Sequence, residues 1–358
     1  MPLSINSEYK DWLRELKANI KRTQIKASLA VNTHIIDFYW YLGSQIVERQ
    51  KNAQWGSGFI PQLSKDLQAD FPDMTGFSRT NIFAIRKFYL FYNQDFTIVP
   101  QVGGQIGGTD FLNLCIHVPW KHNVTIIEKV KDLNEAKFYI EQTIENNWSR
   151  TILEYQIETK LYQRQGKAIT NFKNTLPEPE SDLANALLKD SYNFEFLTLS
   201  SKVKELELEQ KLIENITHFL LELGKGFAYL GRQFEINVGG ELFKTDLLFY
   251  HTKLKCYVVI ELKVTKFKPE YVGKLNFYIT AIDRLVKDET DKPTIGILLC
   301  RSKNDVVVDF ALHDVNKPMG ISEYTYTQLP TQIQNALPTI EQFTERLNQE
   351  EDETEEKE

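Results

Sequence analysis

Two neighbouring segments, LFKTDLLFY at residues 242–250 and KCYVVIELK at residues 255–263, decide how we interpret the fold. Both are rich in β-branched, aromatic and aliphatic residues, so they predict two strands joined by a short polar turn. Alternate side chains of a strand point to the same face. Glu261 and Lys263 are therefore expected to lie side by side on one face of a sheet.

Asp246 is expected to join this pair from the first strand. A turn centred between residues 253 and 254 places Asp246 opposite Glu261, with Cβ atoms roughly 5 Å apart. Two like charges at that separation destabilise a sheet unless a cation neutralises them. Mg²⁺ is commonly held by one or two carboxylates together with waters and phosphate oxygens, so Asp246 and Glu261 are candidate ligands of Mg²⁺, with Mn²⁺ as an alternative ion. Lys263 could orient or deprotonate a metal-bound water, as hydrolysis of a phosphodiester requires. The alternative is a solvated ion pair, because Glu-Leu-Lys is a common tripeptide.

The flanking segments extend the hairpin to an α/β core. Apolar residues recur at helical spacing over residues 205–223, and RQFEINV at residues 232–238 alternates as a strand does. Pro269 opens a predicted helix that runs to about Lys287. The apolar run TIGILLC follows and predicts a central, buried strand, parallel to the hairpin strand from which the helix crosses over. The expected order is helix, three strands, helix, strand.

The segment from residues 222 to 312, with TDLLFYH, CYVVIELKVTKFKPEYVGKLNFYITAID and ILLCRSKNDVVVDFAL, resembles the nuclease domain of the YhcG family, within the PD-(D/E)XK superfamily. The similarity extends through WGSGFI, FPDMTGFSRTN, VPWKHN and NNWSR, so it covers nearly the whole chain. It implies a restriction-endonuclease-like domain and a divalent-metal-dependent endonuclease, with Asp246, Glu261 and Lys263 as the catalytic residues. The proline that precedes the first acid in the superfamily is replaced here by Thr245.

Three further residues are candidates for this site. An acid from the first helix often joins the metal site in the superfamily, and Glu222, in the last turn of the helix at residues 205–223, is the catalytic candidate. Its carboxylate opposes the helix dipole there, although a solvent-facing glutamate is the alternative. Lys274 and Tyr278 lie one turn apart on the next helix and are candidates for nucleic-acid contacts. The alternative is a surface lysine beside a packed tyrosine.

The first half of the chain is expected to be helical and to bind DNA. Two predicted helices are joined by a short turn with Gly76, and Ser78 is an N-cap candidate for the second, as is typical of a helix-turn-helix or winged-helix domain. In such a motif the second helix contacts DNA. The candidate DNA-binding residues are Arg79, Asn81, Arg86 and Lys87. The alternative is a helical hairpin with solvated basic residues.

The length of 358 residues allows two domains. We expect a helical N-terminal domain at residues 1–165, a polar linker with glycine and prolines at 166–181, a nuclease domain at 182–345 and a disordered acidic tail at 346–358. Residues 350–358 contain seven acids and one lysine, so most of the net charge of −7 lies there. The remaining chain is nearly neutral, which permits a local basic patch.

The expected location and partners follow from these features. No apolar segment has the length needed to cross a bilayer and no signal peptide is evident, so we expect a cytoplasmic protein without a membrane partner. The expected partner is nucleic acid, with DNA preferred to RNA. A homodimer or subunits of a restriction system are further expected partners. The competing interpretation is a non-catalytic nucleic-acid-binding or assembly subunit of a restriction, defence or repair complex.

Overall fold

A computed structural model describes residues 7–51, 58–94, 108–197 and 204–325. The chain divides into two compact units, Met1–Ile157 and Glu158–Glu358. We describe each unit by itself. The tail at residues 346–358 lies outside the described residues. Of the helices in the described ranges, none combines the length and the apolar character that crossing a bilayer requires.

The first unit is helical in its described part, as the sequence predicts. Its helices are α1 (Ser7–Lys51), α2 (Phe59–Asp70), α3 (Arg79–Tyr92), α4 (Gly108–Cys115), α5 (Trp120–Lys129), α6 (Leu133–Asn146) and α7 (Arg150–Glu158). Helix α3 has three apolar side chains that are fully excluded from solvent, Ile82, Ile85 and Phe88. Trp40 of α1 contacts Phe88 with its ring edge, at a centroid distance of 5.8 Å. The core of this unit is therefore built around α3.

The predicted α2–turn–α3 arrangement is present. Ser78 adopts an extended backbone and its side chain accepts a hydrogen bond from Asn81 N at 3.3 Å, as an N-cap residue does. Gly76 has φ +114°, and a Cβ atom at this position would collide with the Tyr39 hydroxyl. The turn therefore requires glycine for its backbone conformation and for the close approach of α1.

The second unit is a mixed α/β domain, which confirms the predicted fold class. Its elements are α8 (Leu161–Arg164), β1 (Ile169–Thr170), α9 (Phe172–Thr175), α10 (Glu180–Leu187), β2 (Ser191–Asn193), α11 (Glu205–Glu214), α12 (Ile216–Leu223), β3 (Phe227–Val238), β4 (Glu241–His251), β5 (Cys256–Lys266), α13 (Glu270–Leu285), β6 (Ile295–Ser302), α14 (Asp305–Leu312) and β7 (Met319–Thr325). In the described residues the strand order of the sheet is β1-β7-β6-β5-β4-β3, and β2 pairs with β7.

The centre of the sheet has the predicted crossover. Strands β5 and β6 are parallel and are joined through α13. All six residues of β6 from Ile295 to Cys300 are buried, because β6 lies between β5 and β7 and helices cover both faces of the sheet. A Cβ atom on Gly296 would come within 2.6 Å of Ile279 Cδ1, so this glycine lets α13 pack close to β6. Helix α13 therefore lies directly against the buried centre of the sheet.

Two boundaries differ from the sequence predictions. Residues 166–181 were expected to form a linker, but β1 in this segment pairs with β7, and Phe172 is fully buried. The Asn171 side chain also bonds the backbone of the segment that leads into β7, accepting from Met319 N at 2.8 Å. The segment therefore belongs to the second unit. The predicted helix at residues 205–223 is broken at Asn215 into two helices, α11 and α12.

Candidate active site

The β4–β5 hairpin has the register that the sequence predicts. The ladder runs from His251↔Cys256 to Leu247↔Ile260, so the next pair in the same register is Asp246 and Glu261. The backbone ladder ends before this pair, and Asp246 Oδ2 accepts a hydrogen bond from Leu262 N at 2.8 Å. The side chain of Asp246 thus replaces a backbone acceptor and is fixed beside Glu261. We call Asp246 and Glu261 the carboxylate pair.

The carboxylate pair is buried, and the pKa values of both its acids are raised. Glu261 is 1% exposed, and within the described residues neither of its carboxylate oxygens accepts a well-aligned hydrogen bond. Burial and the negative charge of Asp246 raise the pKa of Glu261 to about 7. Burial also raises the pKa of Asp246, against the opposing effects of the Leu262 N–H and of two lysines. Buried carboxylates with raised pKa values are typical of functional sites, including sites that bind a cation.

Lys263 lies beside the pair. Its Nζ donates to Leu262 O at 2.8 Å and to Glu205 Oε2 at 2.9 Å, and it lies 3.7 Å from Glu261 Oε2. The ammonium also lies over the ring of Tyr271, 5.6 Å from its centroid. Several contacts therefore hold one positive charge at the edge of the carboxylate pair.

Lys274 and Tyr278, predicted near the cleft from their spacing on α13, also lie at this site. Lys274 Nζ is 2.8 Å from Glu261 Oε2 and 5.2 Å from the centre of the Tyr278 ring. The tyrosine is 5% exposed, so its ring is packed as well as close to the lysine. The structure therefore brings five of the predicted residues together: Asp246, Glu261, Lys263, Lys274 and Tyr278.

Glu222 is placed elsewhere, which corrects the sequence prediction for this residue. Its carboxylate accepts from Arg164 Nη1 at 2.5 Å and from Asn193 N at 2.9 Å, and it lies 3.6 Å from Lys189 Nζ. Burial acts to raise the pKa of Glu222, but Lys189 and Arg164 outweigh it and lower that pKa. We call Arg164, Lys189 and Glu222 the Glu222 cluster. Its single carboxylate is already paired with two cations, so we remove Glu222 from the candidate site.

Helix α11 instead supplies two acids near the carboxylate pair, Glu205 and Glu209. Glu205 bonds Lys263, and Glu209 is 2% exposed and accepts from Gln233 Nε2 at 2.5 Å. Burial raises the pKa of Glu209, and the charge of Asp246 contributes to that increase. The sequence analysis missed both residues. Their four-residue spacing at the N-terminal end of a helix, where the dipole favours acids, was the available signal.

The donor set fits a hard divalent cation. Among the described residues, no group of three or more histidine, cysteine, aspartate and glutamate side chains is arranged to hold a metal ion. One or two carboxylates are nevertheless sufficient for Mg²⁺, because waters and substrate oxygens complete its coordination. The buried oxygens of Glu261 that lack aligned donors are the observation that favours a cation. Asp246 and Glu261 are therefore the residues that could hold it.

Two family models match the chain. The YhcG PDDEXK nuclease domain matches residues 185–338, and the DUF1016 N-terminal domain matches residues 15–164. A protein of Escherichia coli (strain K12) whose name is "Putative nuclease YhcG" is 30% identical over 327 residues, which cover 84% of this chain and 85% of that protein. The chain belongs to the YhcG family. The resemblance drawn from the sequence is confirmed, and the candidate site lies inside the YhcG nuclease domain.

Two solved structures show local similarity to the YhcG-family chain. One is the crystal structure of a repair endonuclease from Pyrococcus abyssi, 17% identical with a TM-score of 0.24, covering 37% of this chain and 50% of that one. The other is the structure of EndoMS in apo form, 20% identical with a TM-score of 0.24, covering 37% and 49%. The chain therefore spans about half the length of each of these proteins.

The four DNA-binding candidates in the DUF1016 N-terminal domain have different environments. Arg79 and Lys87 are exposed, and Arg79 lies over the ring of Phe83 at 5.7 Å. Arg86 is half-buried and donates to Gln50 Oε1 at 2.5 Å. Asn81 donates to Gly76 O at 2.6 Å and accepts from Trp120 Nε1 at 2.7 Å, so its amide holds the turn in place. Only the first two are presented to solvent on α3.

Proposed function

We propose that the chain is a divalent-metal-dependent endonuclease that hydrolyses phosphodiester bonds of DNA with Mg²⁺, or with Mn²⁺ in its place. The single observation that carries this proposal is the carboxylate pair, in which two buried acids share a register position and the pKa of each is raised despite two nearby lysines. The family match to a nuclease domain supports it. Without a bound cation, two opposed buried acids lower the stability of the fold, and replacing one of them would raise it.

Each residue of the site has a proposed role. Asp246 and Glu261 would hold the ion, and the Leu262 N–H keeps Asp246 oriented toward Glu261. When bound, the ion would supply Lewis acidity toward a phosphate oxygen and acidify a bound water. Lys263, anchored by Leu262 O and Glu205, would orient the attacking water through its ammonium. Glu209 would hold additional water near the ion through Oε1, which accepts no hydrogen bond within the described residues and lies 3.9 Å from Arg232 Nη1.

For the N-terminal domain we propose DNA-backbone binding through the exposed side of α3. Arg79 and Lys87 are separated by about two turns and share this side with Phe83. Phosphate contacts position a protein on DNA without reading its sequence. Arg79→Ala and Lys87→Ala should each weaken DNA binding. Each should also reduce the slope of the logarithm of affinity against the logarithm of salt concentration by about one. Fluorescence anisotropy at several salt concentrations measures this. Unchanged affinity and slope in the double variant would remove α3 from the proposal.

Cleavage assays test the catalytic proposal directly. The purified full-length chain is incubated with single-stranded, duplex and branched DNA and with RNA, in Mg²⁺, Mn²⁺ or EDTA. We expect cleavage of DNA with either metal and none in EDTA. Glu261→Ala and Lys263→Ala should abolish cleavage and retain nucleic-acid binding. Lys292→Met is the matched control, because Lys292 is exposed and pairs with Glu180 at 3.1 Å, near the start of β5.

The outcome separates the proposal from its main competitor. Equal cleavage by Glu261→Ala and the parent chain would eliminate the site assignment. Binding of DNA without cleavage under any metal condition would favour a non-catalytic assembly subunit. Cleavage of RNA alone would retain the site and reject the DNA preference.

A further inference from the structure

Lys274 makes a contact that a metal-binding carboxylate cannot keep. Its ammonium lies 2.8 Å from Glu261 Oε2, yet the approach is poorly aligned for a hydrogen bond. The side chain of Lys274 is 43% exposed, whereas that of Glu261 is 1% exposed. An outer, partly exposed cation therefore covers an inner, buried carboxylate. The contact is electrostatic and leaves the lone pairs of the oxygen largely unused.

Lys274 and a divalent ion would compete for the same oxygen. Two cations on one carboxylate oxygen would lie within about 4 Å of each other, where their repulsion in a partly buried site is several kcal/mol. Lys263 is in a different position, because Leu262 O and Glu205 also hold its ammonium. Lys263 can stay where it is, 3.7 Å from Glu261 Oε2. Lys274 is therefore the group that has to move.

The surroundings of Lys274 show where it can go. Leu275 and Tyr278 are buried and fix α13 against the sheet, so the backbone at Lys274 stays in place. The Lys274 ammonium lies over the Tyr278 ring, 5.2 Å from its centroid, and the 43% exposed side chain can rotate outward to solvent. An ammonium released beside a metal-bound phosphate would find a new negative partner there. A single outward rotation of the Lys274 side chain would therefore break its contact with Glu261 and bring its ammonium to the phosphate.

We propose that Lys274 is a positioning residue that competes with the divalent ion for Glu261 and, once displaced, binds a phosphate of the nucleic acid. Metal binding and nucleic-acid binding are thereby coupled through one side chain. This inference rests on the proposed function, since it requires an ion at the carboxylate pair.

Metal titration of the full-length chain without nucleic acid gives the first test. Isothermal calorimetry with Mn²⁺ is compared among the parent chain, Lys274→Met, Lys274→Arg and the control Lys292→Met. Methionine keeps the apolar stem and removes the charge, so Mn²⁺ should bind Lys274→Met roughly tenfold more tightly than the parent. Arginine keeps the charge, so Lys274→Arg should bind Mn²⁺ much as the parent does. Lys292→Met should match the parent, because its lysine lies near the other end of β5.

Nucleic-acid binding gives the second test. Fluorescence anisotropy with a hydrolysis-resistant phosphorothioate DNA is measured in EDTA and in Mn²⁺. The parent should bind this DNA roughly tenfold more tightly with Mn²⁺, and Lys274→Met should lose at least half of that gain on a logarithmic scale. Lys292→Met should keep the gain of the parent. A structural role for Lys274 alone would lower thermal stability without producing tighter metal binding.

The results distinguish this inference from the proposed function. Equal or weaker Mn²⁺ binding by Lys274→Met, beside normal binding by the parent, would overturn the role of Lys274 and leave the metal site intact. Mn²⁺ binding that survives unchanged in Glu261→Gln would show that the ion lies elsewhere, and both proposals would fail. Tighter metal binding together with the loss of coupling would support Lys274 in both parts of its role.

Discussion

Glu222 and Glu261 are two buried glutamates of the same unit, and their environments are opposite. Glu222 is fully buried, bonded by Arg164 and Asn193 and close to Lys189, and its pKa is lowered. Glu261 is almost as buried but lies opposite another acid, and its pKa is raised. Burial alone therefore does not identify a functional acid. What distinguishes the two is the balance of neighbouring charges, because Asp246 lies opposite Glu261 whereas two cations face Glu222.

The difference indicates two uses of a buried carboxylate. In the Glu222 cluster, the acid connects α12 to α8 and to the residues around β2, and its removal would leave two buried cations without their partner. At the carboxylate pair, the fold keeps an unfavourable arrangement that an external cation can relieve. Strained or under-compensated groups of this kind are concentrated at functional sites. Four predictions test whether the comparison holds.

The largest expected effect is on catalysis. Glu261→Gln should reduce the rate of metal-dependent DNA cleavage by at least about 10³-fold, because it removes a ligand charge that would hold the ion, at roughly 4 kcal/mol of transition-state stabilisation. Glu222→Gln should retain the parent rate per folded molecule. Gel-based cleavage rates, corrected for the folded fraction, measure both. Similar losses in the two variants would erase the functional distinction between the two glutamates.

The next effect is on stability, and it is expected at Glu222. Glu222→Gln should lower the free energy of unfolding by about 3 kcal/mol, because Arg164 and Lys189 stay buried with their charge partner removed. Urea denaturation followed by circular dichroism measures this change. Glu207→Gln on α11 is a control, since Glu207 is exposed. A Glu222→Gln chain as stable as the parent would show that the Glu222 cluster is not a stabilising element.

A third effect concerns pH. The pKa of Glu261 is raised to about 7 in the folded chain, so its ionisation costs stability above that pH. As pH falls from 8 to 5 in EDTA, the carboxyl regains its proton and this cost disappears. Glu261→Gln should therefore exceed the parent in stability at pH 8, by about 2 kcal/mol, and lose most of that advantage at pH 5.

Unfolding curves at the two pH values measure this trend, and Mg²⁺ at pH 8 should stabilise the parent but not the variant. An advantage of Glu261→Gln that is independent of pH would mean that Glu261 does not carry the unfavourable charge.

The smallest effect tests whether Glu209 is a functional acid, like Glu261, or a structural acid, like Glu222. Its pKa is raised, chiefly by burial, which places it with the carboxylate pair. Glu209→Gln should therefore weaken Mn²⁺ binding by roughly tenfold, about 1.4 kcal/mol, and should not destabilise the chain in EDTA. Calorimetry and thermal unfolding give the two numbers. A loss of stability without a change in Mn²⁺ affinity would instead place Glu209 with Glu222 as a structural acid.

The parts of the site that could be predicted from sequence share one property, which is that they depend on short-range periodicity. Asp246, Glu261 and Lys263 follow from strand alternation and from one turn, and Lys274 and Tyr278 follow from helical spacing. Glu222 satisfied similar local criteria, but Arg164 lies 58 residues away and Lys189 lies 33 residues away along the chain. Pairing over such distances depends on packing, so local patterns carry no information about it.

Similar reasoning applies to residues outside the site. Asn81 has the composition expected of a DNA-reading residue, yet Trp120, 39 residues later, uses its side-chain oxygen. Residues 166–181 have the glycine and prolines of a linker, yet Asn171 and Phe172 are held by strands and core residues far along the chain. Polar composition indicates that a segment can be exposed to solvent, but it does not show that the segment is exposed. Its structure is decided by the groups that the fold brings to it.

By itself, the sequence determined the order of elements, the register of the β4–β5 hairpin and the family to which the chain belongs. These follow from residue periods of two and 3.6 and from motifs that are contiguous in the chain. Only the tertiary structure decided which acids are compensated, that Glu205 and Glu209 join the site in place of Glu222, and that Lys274 covers Glu261. The physical reason is that the ionisation of a buried acid depends on burial and on charges within a few ångströms, and the residues that supply them come from distant parts of the chain.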